Sequence, residues 1–137
     1  MAKYREIKGV TVQTRDTDPT INAGSWASAP NLNTGRQELS GSGSSGSNAL
    51  AFGGDKGGGA PHSDTETEKF DGTSWTEVNE LNQARVNLGG TGTNTAALCF
   101  GGSTGAGTNP PIVGNTESWN GTNWTEVNDL NTTRNGL

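Results

Sequence analysis

The side chains able to do chemistry are few in this chain of 137 residues: His62, Cys99 and Tyr4 are its only histidine, cysteine and tyrosine. A copper oxidase centre gathers imidazole, phenol and thiol ligands at one point. Tyr4 stands near the start of the sequence, His62 in the loop stretch "GGGAPHSD" and Cys99 inside "ALCF". Neither that centre nor a nucleophilic triad, which turns on histidine, is therefore spelled out. Cys99 takes the place of Ala51 in another copy of the same stretch, which makes it a small buried core residue. Asp64, Glu66 and Glu68 alternate in "DTETEK"; alternate residues share one face of a strand, and the expectation is a solvated outer face rather than a general acid and base pair. "GGDKGGG" at 53–59 lacks the Lys-Ser or Lys-Thr ending and the following helix of a phosphate loop. No enzymatic activity, cofactor or metal is expected.

Three arginines are placed with more regularity. Arg36, Arg85 and Arg134 each follow a tryptophan (Trp26, Trp75, Trp124) by ten residues, and the tryptophans recur at an interval of 49. A ligand site has no need of an equivalent residue in every repeat. The arginines are expected to be structural, each tying one repeat to the next through hydrogen bonds to carbonyls or carboxylates. Recognition is expected where the copies differ, in the loops 55–64 ("DKGGGAPHSD") and 103–114 ("STGAGTNPPIVG"), because binding residues commonly sit on loops held by a regular scaffold. The binding candidates are Asp55, Lys56, His62, Asn109 and Ile112.

The elements that must position these residues follow from the same register. Leucine recurs at 32, 81 and 130 and again at 39, 88 and 137, and "ALAFGG" at 49–54 returns as "ALCFGG" at 97–102 after a one-residue slip. A loop tolerates such a slip and a strand interior does not. Each repeat reads as four short strands, in the better-defined copy 85–92, 96–101, 116–119 and 123–128. "DG" and "NG" in "FDGTSW" and "WNGTNW" are hairpin signals, since both residues tolerate positive φ. Aliphatic residues are scarce, so Trp26, Phe70, Trp75, Trp119 and Trp124 are expected to supply the buried interior, at about 200 Å² for each tryptophan.

Composition agrees with strands and turns. Only 28% of residues are hydrophobic, 17% are charged and 22 are glycine; Gly, Ser and Asn all disfavour helix interiors. The net charge of −5 argues against a nucleic-acid partner, which needs clustered basic residues. A single cysteine permits no internal disulfide. No apolar run has the length of a signal peptide or a membrane span, so a soluble chain without membrane insertion is expected.

A period near 50 residues with four strands per unit is the pattern of a kelch-type propeller blade. The "FGG" closing the second strand, the aromatic before the turn (Phe70, Trp119) and the tryptophan after it (Trp75, Trp124) resemble the kelch repeat. "DGTSWT" is also similar to the Asp box of sialidase propellers, but one residue shorter between Asp and Trp. The resemblance is closer to kelch-like proteins of marine tailed bacteriophages, whose chains open with a segment similar to "MAKYREIKGVTVQTRDTDP" and continue into repeats similar to "NLNTGRQELSGSG" and "TAALCFGG". That resemblance implies an all-β chain of kelch-like four-stranded antiparallel blades, serving as a virion structural or tail-fibre-like protein made in the host cytoplasm. Its partners would be other virion subunits or copies of itself, and a host-surface glycan. The alternative from another class is a carbohydrate-active propeller enzyme or a lectin-like domain.

The expected layout is an N-terminal arm over 1–24 and repeats over 25–137. Two blades span 36–80 and 85–129, with a lone fourth strand at 25–30 and the start of a third blade from 134. Such a count does not close a ring of four to eight blades, so a fragment of a longer repeat protein, or a chain whose closure is imperfect, with exposed edges at both ends that self-associate, is expected.

Overall fold

The computed structural model describes residues 28–58, 62–105 and 110–137. The expected N-terminal arm, Tyr4, Trp26 and Asn109 lie outside them, as does most of the expected lone strand; 28–30 are not in a strand. The described residues are all-β, with no helix among them. Eight strands form two four-stranded antiparallel sheets, each in simple chain order. The first sheet holds β1 (Ser40–Ser45), β2 (Asn48–Phe52), β3 (Thr67–Phe70) and β4 (Trp75–Val78); the second holds β5 (Gly89–Gly92), β6 (Ala97–Phe100), β7 (Thr116–Trp119) and β8 (Trp124–Val127). β5 to β8 fall within the four stretches read from the sequence.

The first strand of each sheet begins later than expected. Arg85 and Val86 make only isolated bridges, to Asp64 and Ser103, and Asn87 then takes a φ of 53°. That left-handed conformation turns the backbone out of the extended region before β5 starts. Glu38, at the equivalent place ahead of β1, has a φ of 56°. The Asp-Gly and Asn-Gly turns also differ from a two-residue hairpin. Their flanking pairs are Phe70 with Trp75 and Trp119 with Trp124, leaving four-residue loops in which only Gly72 and Gly121 have positive φ. Asp71 Oδ1 instead accepts from the backbone N–H groups of Thr73 and Ser74, both at 2.8 Å. Asn120 Oδ1 accepts from those of Thr122 and Asn123, both at 2.9 Å.

The double glycines have a steric reason. Gly54 and Gly102 take φ of 101° and 92°. A Cβ there would stand 2.7 Å from the carbonyl oxygen of Gln37 or of Val86. The segment leading into each sheet therefore lies directly on the backbone after its second strand, with Gln37 and Asp55, and likewise Val86 and Ser103, exchanging paired backbone hydrogen bonds of 2.8–3.0 Å.

The core joins the sheets through Leu50, Phe52, Leu81, Leu88, Ala97, Cys99, Trp119 and Trp124. Trp124 meets Phe52 edge-on, with ring centroids 5.0 Å apart, and its Nε1 donates to Thr67 Oγ1 at 3.0 Å. Phe70, Trp119 and Trp124 are buried, as the sequence led us to expect. Trp75 departs from the expectation and is only partly buried. It packs on Phe70 at 5.1 Å and donates from Nε1 to the carbonyl of Pro30 at 3.1 Å. Its place corresponds to that of Trp124, but among the described residues no sheet covers that side.

Glu68 is a further correction. Instead of lying on a solvated face it is 1% exposed, because the segment leading into the sheet folds over β3 and supplies donors to it. Arg36 Nη2 lies 3.0 Å from Glu68 Oε1, and the Asn33 backbone N–H donates to Oε2 at 2.7 Å. Glu117 repeats the arrangement in the second sheet, 2.6 Å from Arg85 Nη2 and 2.8 Å from the Asn82 backbone nitrogen. Asp64 and Glu66 are partly buried rather than free.

Candidate functional site

The paired glycines aim the segments that follow β2 and β6 at the same end of the two sheets, and a cleft of about 510 Å³ opens there. Gln37, Glu38, Asp55, His62, Asn87 and Ser103 line it, with Val86, Gly105, Pro110 and Asn135. Asp55 is its most firmly held charge. Its carboxylate accepts from the Gly57 backbone N–H at 2.7 Å and the Gln37 amide at 3.2 Å, and lies 3.4 Å from His62 Nδ1. The Gly57 N–H above all, assisted by Gln37 and His62 and opposed by burial, holds this carboxyl below its ordinary range. The His62 side chain is 46% exposed, so the pair offers the cleft a fixed acceptor and a half-exposed imidazole.

The structure thus brings Asp55 and His62 together and leaves the other candidates apart. Lys56 turns away, to Asp64 at 2.7 Å and to Glu66. These carboxylates raise its ammonium above the ordinary lysine range. Burial pushes the Asp64 carboxyl up, but Lys56 and the N–H groups of Glu66 and Thr65 outweigh it and the net shift is down. Ile112 is 44% exposed and pairs by backbone with Ser103, which lines the cleft, without lining it itself. Asn109 is not among the described residues.

Glu38 and Asn87 line the cleft without having been singled out. The Asn87 amide donates to Glu38 Oε2 at 3.0 Å, its backbone N–H to the Glu38 carbonyl at 3.0 Å, and the Gly136 N–H to the Asn87 carbonyl at 3.0 Å. Positions 38, 87 and 136 stand two residues after the three arginines; asparagine and glycine there, both tolerant of positive φ, were the available signal.

The arginines occupy two kinds of place. Arg36 and Arg85 have fully buried side chains. Arg36 Nη1 donates to the carbonyls of Gly53 and Glu66 at 3.0 and 2.7 Å, and Arg85 Nη1 to those of Gly101 and Asn115 at 3.3 and 2.6 Å. The backbone of Arg85 bonds instead to the first sheet, through Asp64 and Gly54, so this residue holds both sheets at once. Arg134 makes the equivalent backbone bonds, to Val113 and Gly102, while the residue is exposed. Cys99 is fully buried with Sγ 2.9 Å from Arg85 Nη2. Burial pushes its thiol up to about 12 despite the guanidinium. A smaller pocket of about 250 Å³ opens beside Glu117, whose carboxylate is already engaged by Arg85 and Asn82.

Chemically, the cleft presents amides, a carboxylate and an imidazole to a polar ligand. Among the described residues no three His, Cys, Asp or Glu side chains converge as metal ligands would, and no helix is long and apolar enough to cross a membrane. Comparison with models of known protein families, and with curated proteins, finds no match.

Proposed function

We propose that the two sheets are blades of a kelch-like β-propeller and that the chain is a non-enzymatic scaffold, presenting a variable rim for recognition. The observation that carries this reading is the contrast between interior and rim. The same buried Arg–Glu pair, its carboxylate met by the backbone N–H of an exposed asparagine, recurs in both sheets, whereas the loops after β2 and β6 share a place but not a sequence. A repeated interior suits a structural unit, and a varied rim suits binding. The resemblance to phage kelch-like proteins suggests the setting: a virion structural or tail-fibre-like component whose rim contacts a host-surface glycan. Carboxylate, imidazole and amide groups around a 510 Å³ cleft suit sugar hydroxyls, which favours lectin-like binding over hydrolysis.

A glycan array probed with the purified chain and with Asp55→Ala and His62→Ala tests the binding reading. The expected result is retention of a polysaccharide by the parent chain, weakened at least tenfold in both variants, with no release of reducing ends. Binding unaffected by either substitution, or sugar release dependent on Asp55, would overturn it. Antibody labelling of particles tests the setting separately.

A further inference from the structure

We infer that the outer faces of the two sheets fit each other, so that the second sheet of one copy docks head to tail on the first sheet of another. Each half of the intrachain seam recurs on an outer face. In the seam, Phe52 is fully buried against Trp124, Trp124 Nε1 bonds Thr67 Oγ1, and the Phe52 ring and Ser40 Oγ lie where a Cβ on Gly90 would be, both 2.6 Å away. One repeat later, the outer face of the second sheet offers Phe100, only partly buried and with its ring over Gly89, and beside it Thr116, itself 7% exposed. One repeat earlier, the outer face of the first sheet offers partly buried Trp75, and Gly41, beside which, among the described residues, only the Leu50 carbonyl lies. Aromatic, acceptor, indole and flat glycine backbone are thus split between two faces of one chain. That is a heterologous contact, which forms a closed ring when the rotation permits.

The segment between the sheets makes the same point. "LNQARVNL" at 81–88 seats Asn82 and Arg85 on Glu117, and Leu88, 2% exposed, between the glycine pairs. "LNTGRQEL" at 32–39 seats Asn33 and Arg36 on Glu68 in the same way. "LNTTRNGL" at 130–137 keeps the leucines, Asn131 and Arg134, yet Arg134 is exposed and Leu137 is 52% exposed. Its receptor, the Glu68 carboxylate with the carbonyls of Gly53 and Glu66, exists on every copy and there holds 32–39. Docking is therefore an exchange in which 130–137 of one copy replaces 32–39 of the next. The left-handed position favours the incomer, since Gly136 has a φ of 67° without a Cβ where Glu38 has a φ of 56° with one. The inference does not depend on the virion reading.

Light scattering of the full chain across concentration is the test. The expected mass is two to four times that of one chain, giving the four to eight sheets of a closed ring. Arg134→Glu with Leu137→Asp should return it to one chain. Arg36→Ala, which frees Glu68 for the incoming Arg134, should strengthen association, and this opposite sign separates exchange from general surface adhesion. Acrylamide quenching provides a readout on the parent chain: the quenchable fraction should fall as association proceeds and the change should vanish in Trp75→Phe. A single-chain mass at every concentration, association indifferent to Arg134 and Leu137, or quenching that does not follow association would overturn the inference.

Discussion

Arg85 shows what a buried charge does in a chain so poor in aliphatic residues. Its side chain is fully buried, donates to two carbonyls and pairs with Glu117. Removing one partner of such a pair leaves the other charged and unpaired, at a cost of about 3–5 kcal/mol, whereas replacing both by apolar residues is often neutral. Urea titration should therefore show Arg85→Ala losing about 3–5 kcal/mol and Arg85→Met with Glu117→Leu recovering most of it. Full additivity of the two substitutions would contradict the pairing. Cys99, beside Arg85, carries a pH prediction. Its folded thiol titrates at about 12 against an ordinary value of 9.0, so between those values the unfolded chain has lost a proton that the folded chain keeps. Stability should be unaffected by this group below pH 9 and should fall as pH rises from 9 toward 12. Cys99→Ala, which installs the residue found at Ala51, should flatten that alkaline decline, and a native thiol that reacts readily with a thiol reagent at pH 7 would refute the burial.

At the scale of elements, the two aromatic hairpins are a comparison made within one chain. Asp71 and Asn120 do the same work, accepting two backbone N–H groups with one side-chain oxygen. At neutral pH Asp71→Asn should therefore be nearly silent in a thermal melt, and Asp71→Ala should lower the melting temperature. The N–H groups of Ser74 and Thr73 hold the Asp71 carboxyl below 3.8. Its contribution should persist above that pH and be lost as pH falls through the lower folded value, and Asp71→Asn should abolish this acid sensitivity. Strands, turns and the repeat were legible because short-range signals specify them: turn residues, double glycines and a fixed interval. What lies beside a strand was not. β4 and β8 are both "WTEV", yet Trp124 is 5% exposed and Trp75 only partly buried, because Phe52 and Thr67 adjoin one and Pro30 the other. Alternation in "DTETEK" suggested solvent for Glu68 because the sequence does not announce that Arg36, 32 residues earlier, folds over it. The meeting of Asp55 and His62 depended likewise on a loop path that no spacing specified.

For the molecule as a whole, the seam determines whether the sheets unfold together or separately. Phe52 sits in it from the first sheet and Trp124 and Leu88 from the second, and Ser42 Oγ reaches across to the Thr93 carbonyl at 3.2 Å. A sheet detached here would expose its largest apolar side chains, so the two should melt as one cooperative unit. Gly90 is the place to test this, since it lies where the sheets come closest and its φ is not in the left-handed region. A side chain added there would meet the Phe52 ring and Ser40 Oγ at 2.6 Å, and the ring, packed against Trp124, has nowhere to move. Overpacking of this kind costs about 1–3 kcal/mol. Gly90→Val should lower the melting temperature equally when followed by emission in a Trp26→Phe, Trp75→Phe background, in which Trp119 and Trp124 of the second sheet are the tryptophans that remain, and by far-ultraviolet circular dichroism, which follows both sheets. Gly46→Ala, with open space around its Cβ position, should leave the melting temperature within a degree or two. Two separate transitions in the Gly90 variant would mean that each sheet is stable by itself, and an unchanged melting temperature would mean that the sheets do not pack through Gly90 at all.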